Sequence, residues 1–336
     1  MVARTDRMGD LILTAPLIEA LKRHFPRTRI SLLASAANAQ VAPLLPAIDA
    51  VEVDSVEARD SRWRGTLALA RRLRQLDIDV MLFANSKHRL AVSAWLARIP
   101  VRIGSAGRAY SMLYTARVKA PRFEHETDRA LRLLQPLGVQ TTPATAPRCT
   151  VAEDDRRAVA DLLARHGVGA TDVLAIVHPS NSGNALTGSS AWYAELADEL
   201  HAAGYVVMLT GTQADRQLTA AIAAAAQHPP LDLSGQLTVG ELAALLGRGN
   251  ICIGNSTGPA HLAAAVGVPT IGLYSPLIKQ HRWLPRGSAI QVLRPELGMS
   301  CATCLGVRCQ FFNCMDRITP ARVIAAVAVL QARAHP

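Results

Sequence analysis

The chain has 336 residues, half of them apolar and only 4% aromatic, which is enough to bury the cores of two domains of ordinary size. Lys and Arg outnumber Asp and Glu by 36 to 26, and the net charge of +10 favours acidic partners: nucleotide diphosphates, phosphorylated glycolipids or an anionic membrane leaflet. The sequence shows no bilayer-length apolar run, no signal-peptide pattern and no nucleic-acid-binding motif. We therefore expect a cytoplasmic protein with no nucleic-acid partner, and peripheral contact with the inner face of the cytoplasmic membrane stays open.

The first informative stretch, residues 2–16, predicts a strand that breaks at Gly9 and is followed by a helix. Pro16 must lie in the first helical turn, where a proline is tolerated. Asp10 is therefore expected at the carboxyl end of a strand beside a helix start, where α/β proteins place ligands. The alternative is that Asp10 is a plain helix N-cap. The apolar residues that recur at helical spacing are Leu13, Leu17, Ile18, Leu21 and Phe25.

The rest of the N-terminal half alternates strands and helices, and the clearest helix covers residues 62–76. Residues 140–148, QTTPATAPR, are polar and contain prolines, which is typical of a linker. We therefore expect two domains, residues 1–145 and residues 146–336. The strands predicted in the first of them cover residues 29–35, 50–54, 79–85 and 101–105.

The C-terminal half repeats the alternation, and its helix at residues 238–246 opens with the capping box Thr238-x-x-Glu241. Alternation on this scale predicts an α/β fold with parallel sheets covered on both faces. The other helices predicted here cover residues 153–166, 191–203, 214–227 and 320–332. The strands lie at residues 173–178, 205–210 and 231–233.

Residues 250–276 form a strand–loop–helix–strand unit whose loop is small and polar. Pro259 presets the first helical turn, Gly267 suits the helix C-terminus, and Pro269 prevents continuation. A helix start lined with small hydroxyl side chains attracts anions, phosphate above all. An ordinary βαβ crossover is the alternative. The residues crowded into this turn are Asn255, Ser256, Thr257, Gly258, Pro259 and His261.

Four of the six cysteines lie within residues 301–314, at Cys301, Cys304, Cys309 and Cys314. Four thiolates so close in sequence can enclose one tetrahedral zinc or iron ion. A site with four thiolate ligands has no open position, so the expected role of the ion is structural. Buried thiols without a metal are the alternative.

Two motifs carry a family resemblance: Arg4-x-Asp6-x-x-Gly9-Asp10-x5-Pro16 near the N-terminus, and residues 255–265, NSTGPAHLAAA. In this order and spacing they resemble glycosyltransferase family 9, the ADP-heptose:lipopolysaccharide heptosyltransferase family. The resemblance implies a GT-B fold, with two facing Rossmann-like domains, the acceptor on the N-terminal one and the nucleotide sugar on the C-terminal one. A nicotinamide-binding enzyme would need Gly-x-Gly-x-x-Gly after the first strand, and this chain has only Gly9 there.

The resemblance also implies roles for individual residues. Asp10 is expected to be the general base, with Asp6 as a lesser candidate. The donor diphosphate is expected against Ser256, Thr257, Gly258 and the helix that begins at Pro259, with Asn255 and His261 beside it. Four residues that follow neighbouring strands are expected to complete the nucleotide-sugar site: Ser180, Asn181, Thr210 and Gly211. The transfer itself uses no metal in the family, and cysteines of this region hold an iron in its autotransporter-modifying branch.

The expected function is inverting transfer of a heptose or similar sugar from an ADP-sugar to a lipopolysaccharide core or related glycan. The alternatives are transfer to protein hydroxyls and a catalytically weak nucleotide-sugar-binding subunit. Two departures from the family keep the last alternative open. Ser256 stands where the family usually has Asp, so that only a hydroxyl is left to cap the helix. Residues 179–191 contain no Lys or Arg to neutralise the leaving diphosphate, a role for which Arg7, Lys279 and Arg282 are the open substitutes.

Overall fold

The computed structural model describes residues 1–54, 62–142, 145–181, 183, 186–276, 278–296 and 313–334. The chain divides into two compact units, Met1–Arg148 and Cys149–Pro336. Each unit contains one six-stranded parallel sheet with helices between its strands. The predicted α/β class is confirmed.

Unit 1 has the sheet order β3-β2-β1-β4-β5-β6, and every pair of neighbours is parallel. The order reverses between β1 and β4, which is the topological switch point of the sheet. Its strands are β1 (Val2–Arg4), β2 (Ser31–Ala34), β3 (Ala50–Val53), β4 (Val80–Phe83), β5 (Val101–Ser105) and β6 (Ala116–Val118). Its helices are α1 (Met8–Ile12), α2 (Ala15–His24), α3 (Ala36–Ala39), α4 (Arg62–Gln75), α5 (His88–Leu96) and α6 (Glu126–Leu131).

Unit 2 repeats this topology, with the order β12-β11-β10-β7-β8-β9 and a switch point between β7 and β10. All of its neighbouring strands are parallel as well. Its strands are β7 (Leu174–His178), β8 (Val206–Leu209), β9 (Leu231–Asp232), β10 (Ile251–Asn255), β11 (Thr270–Leu273) and β12 (Ile290–Leu293). Its helices are α7 (Glu153–Arg165), α8 (Ser190–Ala202), α9 (Arg216–Ala225), α10 (Val239–Arg248), α11 (Gly258–Val266) and α12 (Pro320–Ala334).

The chain after β1 departs from its prediction. The strand ends at Arg4 and not at Gly9, and the single expected helix is the pair α1 and α2. Pro16 explains the break, because a proline ring clashes with the carbonyl four residues earlier, here that of Ile12. Pro16 does lie in the first turn of α2, as predicted.

Local signals at helix ends were otherwise reliable. The capping box of α10 is formed: the Thr238 N–H donates to Glu241 Oε2 at 2.7 Å, and the Glu241 N–H donates to Thr238 Oγ1 at 3.2 Å. Gly267 ends α11 with φ 92°, a left-handed conformation that favours glycine. The edge strands β6 and β12 escaped prediction because most of their residues are only partly buried, so their apolar pattern is weak.

A pair of glycines tests the packing. The Tyr114 ring lies against Phe83, with ring centroids 4.7 Å apart, and fills the space where Gly104 would carry a Cβ. We expect Gly104→Ala to lower the free energy of unfolding by about 1–3 kcal/mol, because the ring has to move. Gly247 in α10 has nothing within 4 Å of its Cβ position, so Gly247→Ala should raise that free energy by about 0.5–1 kcal/mol. Denaturant titration measures both, and equal losses in the two variants would contradict the overlap.

Candidate functional site

The two switch points define the candidate site regions, because ligands of open parallel sheets bind beyond the carboxyl ends of the strands where the order reverses. In unit 1 these ends are the segments after β1 and β4. In unit 2 they are the segments after β7 and β10. Asp10 follows β1, and the small polar turn at residues 255–258 follows β10.

A buried arginine organises the unit 1 region. Only 2% of the Arg4 side chain is exposed, and its guanidinium contacts three carboxylates. Nε lies 2.8 Å from Asp6 Oδ1, Nη2 lies 2.9 Å from Asp10 Oδ1, and Nη1 lies 2.9 Å from Glu126 Oε1. Nη1 also donates to the Ala84 carbonyl at 2.6 Å, which joins this cluster to the end of β4. Arg4 therefore fixes the position of Asp10.

Burial and ion pairing balance differently for Arg4 and Asp6 in this cluster. Burial alone would lower the pKa of Arg4, but the attraction of Asp6, Glu126 and Asp10 outweighs it and raises that pKa. For Asp6 the larger effect is burial, which raises the pKa of its carboxyl against the pull of Arg4, and Asp10 and Glu126 add repulsion. Asp6 thus holds a proton more readily than an ordinary aspartate. A general base must be ionised, so Asp10 is the better candidate of the two.

Asp10 is not the N-cap of its helix. The cap position of α1 belongs to Arg7, whose side chain makes no capping hydrogen bond. Asp10 lies one turn further in, and 15% of its side chain is exposed. The Thr14 hydroxyl donates to the Asp10 carbonyl at 2.8 Å and secures the backbone at this point. The alternative of a plain helix cap is therefore wrong.

Asn255 organises the unit 2 region, and it is fully buried. Its Nδ2 donates to the Pro179 carbonyl at 2.8 Å and to Thr187 Oγ1 at 2.9 Å, and its Oδ1 accepts from the Tyr193 hydroxyl at 3.1 Å. These bonds join the end of β10 to the segment after β7, across the switch point. Asn255 thus holds two loops together, and both polar atoms of its side chain already form hydrogen bonds within the protein.

The start of α11 has no side-chain cap. Thr257 occupies the N-cap position, but its side chain makes no capping hydrogen bond. Its hydroxyl reaches back to the Asn255 carbonyl at 3.4 Å instead. The Ser256 hydroxyl shares a hydrogen bond with Tyr274. The expectation that a hydroxyl caps this helix is therefore wrong, because both hydroxyls have other partners.

Two other helices of unit 2, α8 and α10, are capped by side chains, whereas α7 and α9 are not. The Ser189 hydroxyl accepts from the Trp192 N–H at the start of α8, and Thr238 caps α10. No side chain caps the positive N-terminal end of α11. Gly258 opens this helix, and Pro259 lies in its first turn, as predicted. His261 follows, buried with only 6% of its surface exposed.

Two other predicted residues are buried beside this turn. The Ser180 hydroxyl bonds to the Asp215 carboxylate, and Thr210 Oγ1 lies 3.0 Å from His178 Nδ1. Burial lowers the pKa of His178 to about 4, although Asp215 attracts the proton. His178 is therefore neutral near pH 7 and supplies no positive charge for a diphosphate.

Asn181 and Gly211 are half-buried and lie at the ends of β7 and β8. Asn181 Oδ1 accepts from the Gly183 N–H at 2.7 Å, which closes a local turn. Asp215 accepts from the Thr212 N–H and hydroxyl, each at 2.7 Å. Burial would raise the pKa of Asp215, but these bonds and the one from Ser180 lower it. Sequence reasoning missed Asp215, Tyr193 and Thr187, whose roles depend on partners distant in sequence.

The cysteine cluster is only partly described. Cys301, Cys304 and Cys309 lie outside the described residues, while Cys314 is buried in a 3₁₀ turn, Cys314–Arg317. Within the described ranges, no group of three metal-ligating side chains converges. The zinc or iron site therefore stays a prediction of the sequence.

Two aspartates of unit 1 give opposite pH predictions. The folded state raises the pKa of Asp6 above the ordinary value of 3.8. Ionising Asp6 therefore costs the folded state more than the unfolded state, and the free energy of unfolding falls as pH rises above 3.8. We expect Asp6→Asn to be more stable than the parent protein at pH 7, with the difference closing in acid. The pKa of Asp49 is lowered, first by the Ile30 N–H and then by Lys22. Asp49→Asn should therefore be less stable at pH 7, again with convergence in acid.

Denaturant titrations from pH 8 down to about pH 2 follow both variants through the unfolding of the same unit, which makes Asp49→Asn the matched control. If Asp6→Asn lost stability at pH 7 in the same direction as Asp49→Asn, the assigned balance between burial and Arg4 would be wrong.

Comparison with known proteins agrees with this architecture. Residues 66–312 match the family model of glycosyltransferase family 9 (heptosyltransferase). Lipopolysaccharide heptosyltransferase 3 of Escherichia coli is 29% identical over 287 residues, which cover 79% of this chain and 80% of that protein.

Two solved structures share the fold. The family 9 glycosyl transferase of Veillonella parvula superposes with a TM-score of 0.86 at 22% identity, over 99% of this chain and 96% of that one. The structure of Escherichia coli ADP-heptose lps heptosyltransferase II superposes with a TM-score of 0.79 at 20% identity, over 100% of this chain and 99% of that one. These likenesses confirm the GT-B fold.

None of the helices in the described part of the chain combines the length and apolar character needed to cross a bilayer. The family model spans most of the sequence, and the parallel sheets, their switch points and the structural neighbours agree with it. The chain therefore belongs to glycosyltransferase family 9, the heptosyltransferase family, and is a glycosyltransferase.

Proposed function

We propose that this glycosyltransferase moves a heptose from ADP-heptose to a sugar hydroxyl of a lipopolysaccharide core, with inversion at the anomeric carbon. Support for the donor and acceptor comes from the lipopolysaccharide heptosyltransferase among its relatives and from the ADP-heptose enzyme among its structural neighbours. Unit 1 takes the acceptor in this proposal, and unit 2 takes the nucleotide sugar.

The observation that carries the proposal is the position of Asp10. Its carboxylate lies after β1 at the switch point of unit 1, partly exposed, with Oδ1 fixed 2.9 Å from Arg4 Nη2. As the acceptor oxygen attacks the anomeric carbon, Asp10 takes the hydroxyl proton and the bond to the diphosphate breaks. A single displacement of this kind inverts the anomeric configuration.

The leaving diphosphate is assigned to the start of α11. An uncapped helix N-terminus offers N–H donors and about half a positive charge. Ser256, Thr257 and Gly258 approach the phosphates in this proposal, and Asn255 keeps the turn in place through its bonds to the segment after β7. With no Lys or Arg in residues 179–191 and a neutral His178, the start of the helix supplies positive potential here.

The remaining predicted residues divide into two groups. Ser180 and Thr210 are buried and hydrogen-bonded to Asp215 and His178, so they shape the site from behind. Asn181 and Gly211 are partly exposed, and we assign them contacts with the donor's sugar or ribose.

A test of the base uses two aspartates that share Arg4. Asp10→Asn should lower the rate of ADP release from ADP-heptose in the presence of core oligosaccharide by about a hundredfold or more. Asp6→Asn, which keeps an oxygen for Arg4, should retain most of the rate. ADP binding, measured by calorimetry, should be unchanged in both because the base contacts only the acceptor. A near-parental rate for Asp10→Asn would refute the assignment.

The acceptor class is tested with the parent protein. Turnover that needs a core oligosaccharide supports the proposal, and the product anomer, read by NMR, reports inversion. Transfer that occurs only to protein hydroxyls would replace the acceptor. ADP-heptose binding without any turnover would instead favour a nucleotide-sugar-binding subunit, the function that Ser256 and the missing cation keep open.

A second test concerns the diphosphate turn. Thr257→Val removes a hydroxyl at the start of α11 with little change in volume, and we expect it to weaken ADP by about tenfold, the value of one hydrogen bond to a charged group. Thr238→Val is the matched control, because that hydroxyl caps α10. It should lower stability by about 1 kcal/mol and leave ADP affinity unchanged.

Calorimetry with ADP and denaturant titration separate the two effects. Equal ADP affinity in Thr257→Val, Thr238→Val and the parent protein would mean that the turn is ordinary βαβ architecture and that the donor binds elsewhere.

A further inference from the structure

Three residues of unit 2 form a row just beyond the carboxyl ends of neighbouring strands. The last residues of β10, β11 and β12 stand in register with one another. The residues that follow them are Ser256, Tyr274 and Arg294. The Tyr274 N–H donates to the Leu293 carbonyl at 2.9 Å, and the Ser256 hydroxyl bonds to the Tyr274 side chain, so the row continues past the strands. We call these three residues the β10–β12 row.

The row lies on the side of the sheet that α11 covers. A Cβ added at Gly254 would lie 3.8 Å from the Ala260 Cβ of α11, and Gly254 pairs with Gly272 on β11. Tyr274 is two residues beyond Gly272 and therefore shares its face. Its ring occupies the space where Gly272 would carry a Cβ, with the nearest ring atom at 2.7 Å. The row thus meets the side of the sheet where the proposed diphosphate turn begins its helix.

Tyr274 fixes the middle of the row. It is fully buried, and its hydroxyl donates to the Trp283 carbonyl at 3.1 Å. Because that bond uses the single hydroxyl proton, Tyr274 accepts the hydrogen bond that it shares with Ser256. Burial raises the pKa of Tyr274, and the charge of Arg294 opposes this effect, which is consistent with a guanidinium close to the tyrosine hydroxyl.

Arg294 brings a cation to the end of the row. Its Nη1 donates to the Ser275 carbonyl at 3.5 Å, and its own carbonyl accepts from Arg322 Nη1 of α12 at 2.8 Å. Burial lowers the pKa of Arg294, but an arginine remains protonated near pH 7. Two strand spacings, about 10 Å, separate the backbones of β12 and β10, and the long arginine side chain covers much of that distance.

We propose that Arg294 binds the β-phosphate of the ADP-sugar and supplies the positive charge that residues 179–191 lack. The proposal rests on the function proposed above, whose diphosphate site it completes. The planar guanidinium matches phosphate oxygens, and its partial burial strengthens the attraction.

The charge of Arg294 acts on the bond that breaks. The acceptor oxygen gives an electron pair to the anomeric carbon, and its proton passes to Asp10. The electron pair of the bond between the anomeric carbon and the β-phosphate oxygen stays with that oxygen, so ADP leaves with one more negative charge. Arg294 donates N–H bonds to the phosphate on which this charge develops, and it therefore stabilises the transition state more than the bound substrate.

Calorimetry with ADP and AMP tests the assignment in the full chain, because AMP lacks the phosphate that Arg294 contacts. Arg294→Gln should weaken ADP by about tenfold or more and leave AMP unchanged. Arg294→Lys keeps the charge and should recover part of the loss. Turnover of ADP-heptose with core oligosaccharide should fall by about a hundredfold in Arg294→Gln, since a charge-stabilising donor is lost.

Arg165→Gln is the matched control, because it removes the same charge from the exposed end of α7. It should bind ADP and AMP like the parent protein. Thermal unfolding reports whether each variant is folded. If Arg294→Gln does not fold, Arg294→Lys decides: its ADP affinity should lie below that of the parent protein, with AMP affinity unchanged.

Three outcomes would overturn the proposal. An equal loss of ADP and AMP affinity in Arg294→Gln would make the residue a support of the fold. A selective loss of ADP in Arg282→Gln alone would move the role to Arg282, whose guanidinium lies 4.8 Å from the Trp283 ring centroid. Unchanged ADP affinity in Arg294→Gln would refute this inference alone, whereas a parent protein that binds no ADP would refute the proposed function with it.

Discussion

The burial of one arginine, Arg4, constrains the whole region around Asp10 in unit 1. Removing the Arg4 guanidinium from water is expensive, and the fold compensates it only by bringing carboxylates from three segments to within 2.9 Å. Because the ion is at the end of β1, those segments meet at the switch point of the sheet. Asp10 is thereby held on a rigid element while its side chain stays partly exposed, which is the combination that a positioned base requires.

In unit 2 the segments at the switch point are joined by a neutral side chain instead of an ion cluster. Its sheet has the same strand order, and a buried amide, Asn255, occupies the corresponding switch point and joins the ends of β10 and β7. A buried carboxylate cluster there would repel a diphosphate. A neutral amide gives a comparable mechanical link and leaves the helix dipole of α11 unopposed. The two units thus share a topology and differ in the charge at the switch point, as expected if unit 1 holds the proposed base and unit 2 the proposed diphosphate.

The sequence predicted what depends on neighbouring residues. Pro16, Gly267 and the Thr238 capping box identified helix ends, and the alternation of elements indicated two parallel sheets. It could not predict the ion pair between Arg4 and Glu126, which are 122 residues apart, nor the bond from Asn255 to Pro179 across 76 residues. The expectation that a hydroxyl caps α11 was wrong for the same reason, since the partner of Ser256, Tyr274, follows the next strand, β11.

Serine at position 256, in place of an acidic residue, changes the electrostatics of the turn between β10 and α11. An aspartate at this position, as the family resemblance leads one to expect, would place a negative charge beside the start of α11 and require a nearby cation to offset it. Residues 179–191 contain no lysine or arginine, and burial keeps His178 neutral. The missing carboxylate at position 256 and the missing cation in residues 179–191 have opposite charges, so their effects on the net charge offset each other. The N-terminus of α11 has no side-chain cap, so the two departures from the family are compatible with the proposed diphosphate site.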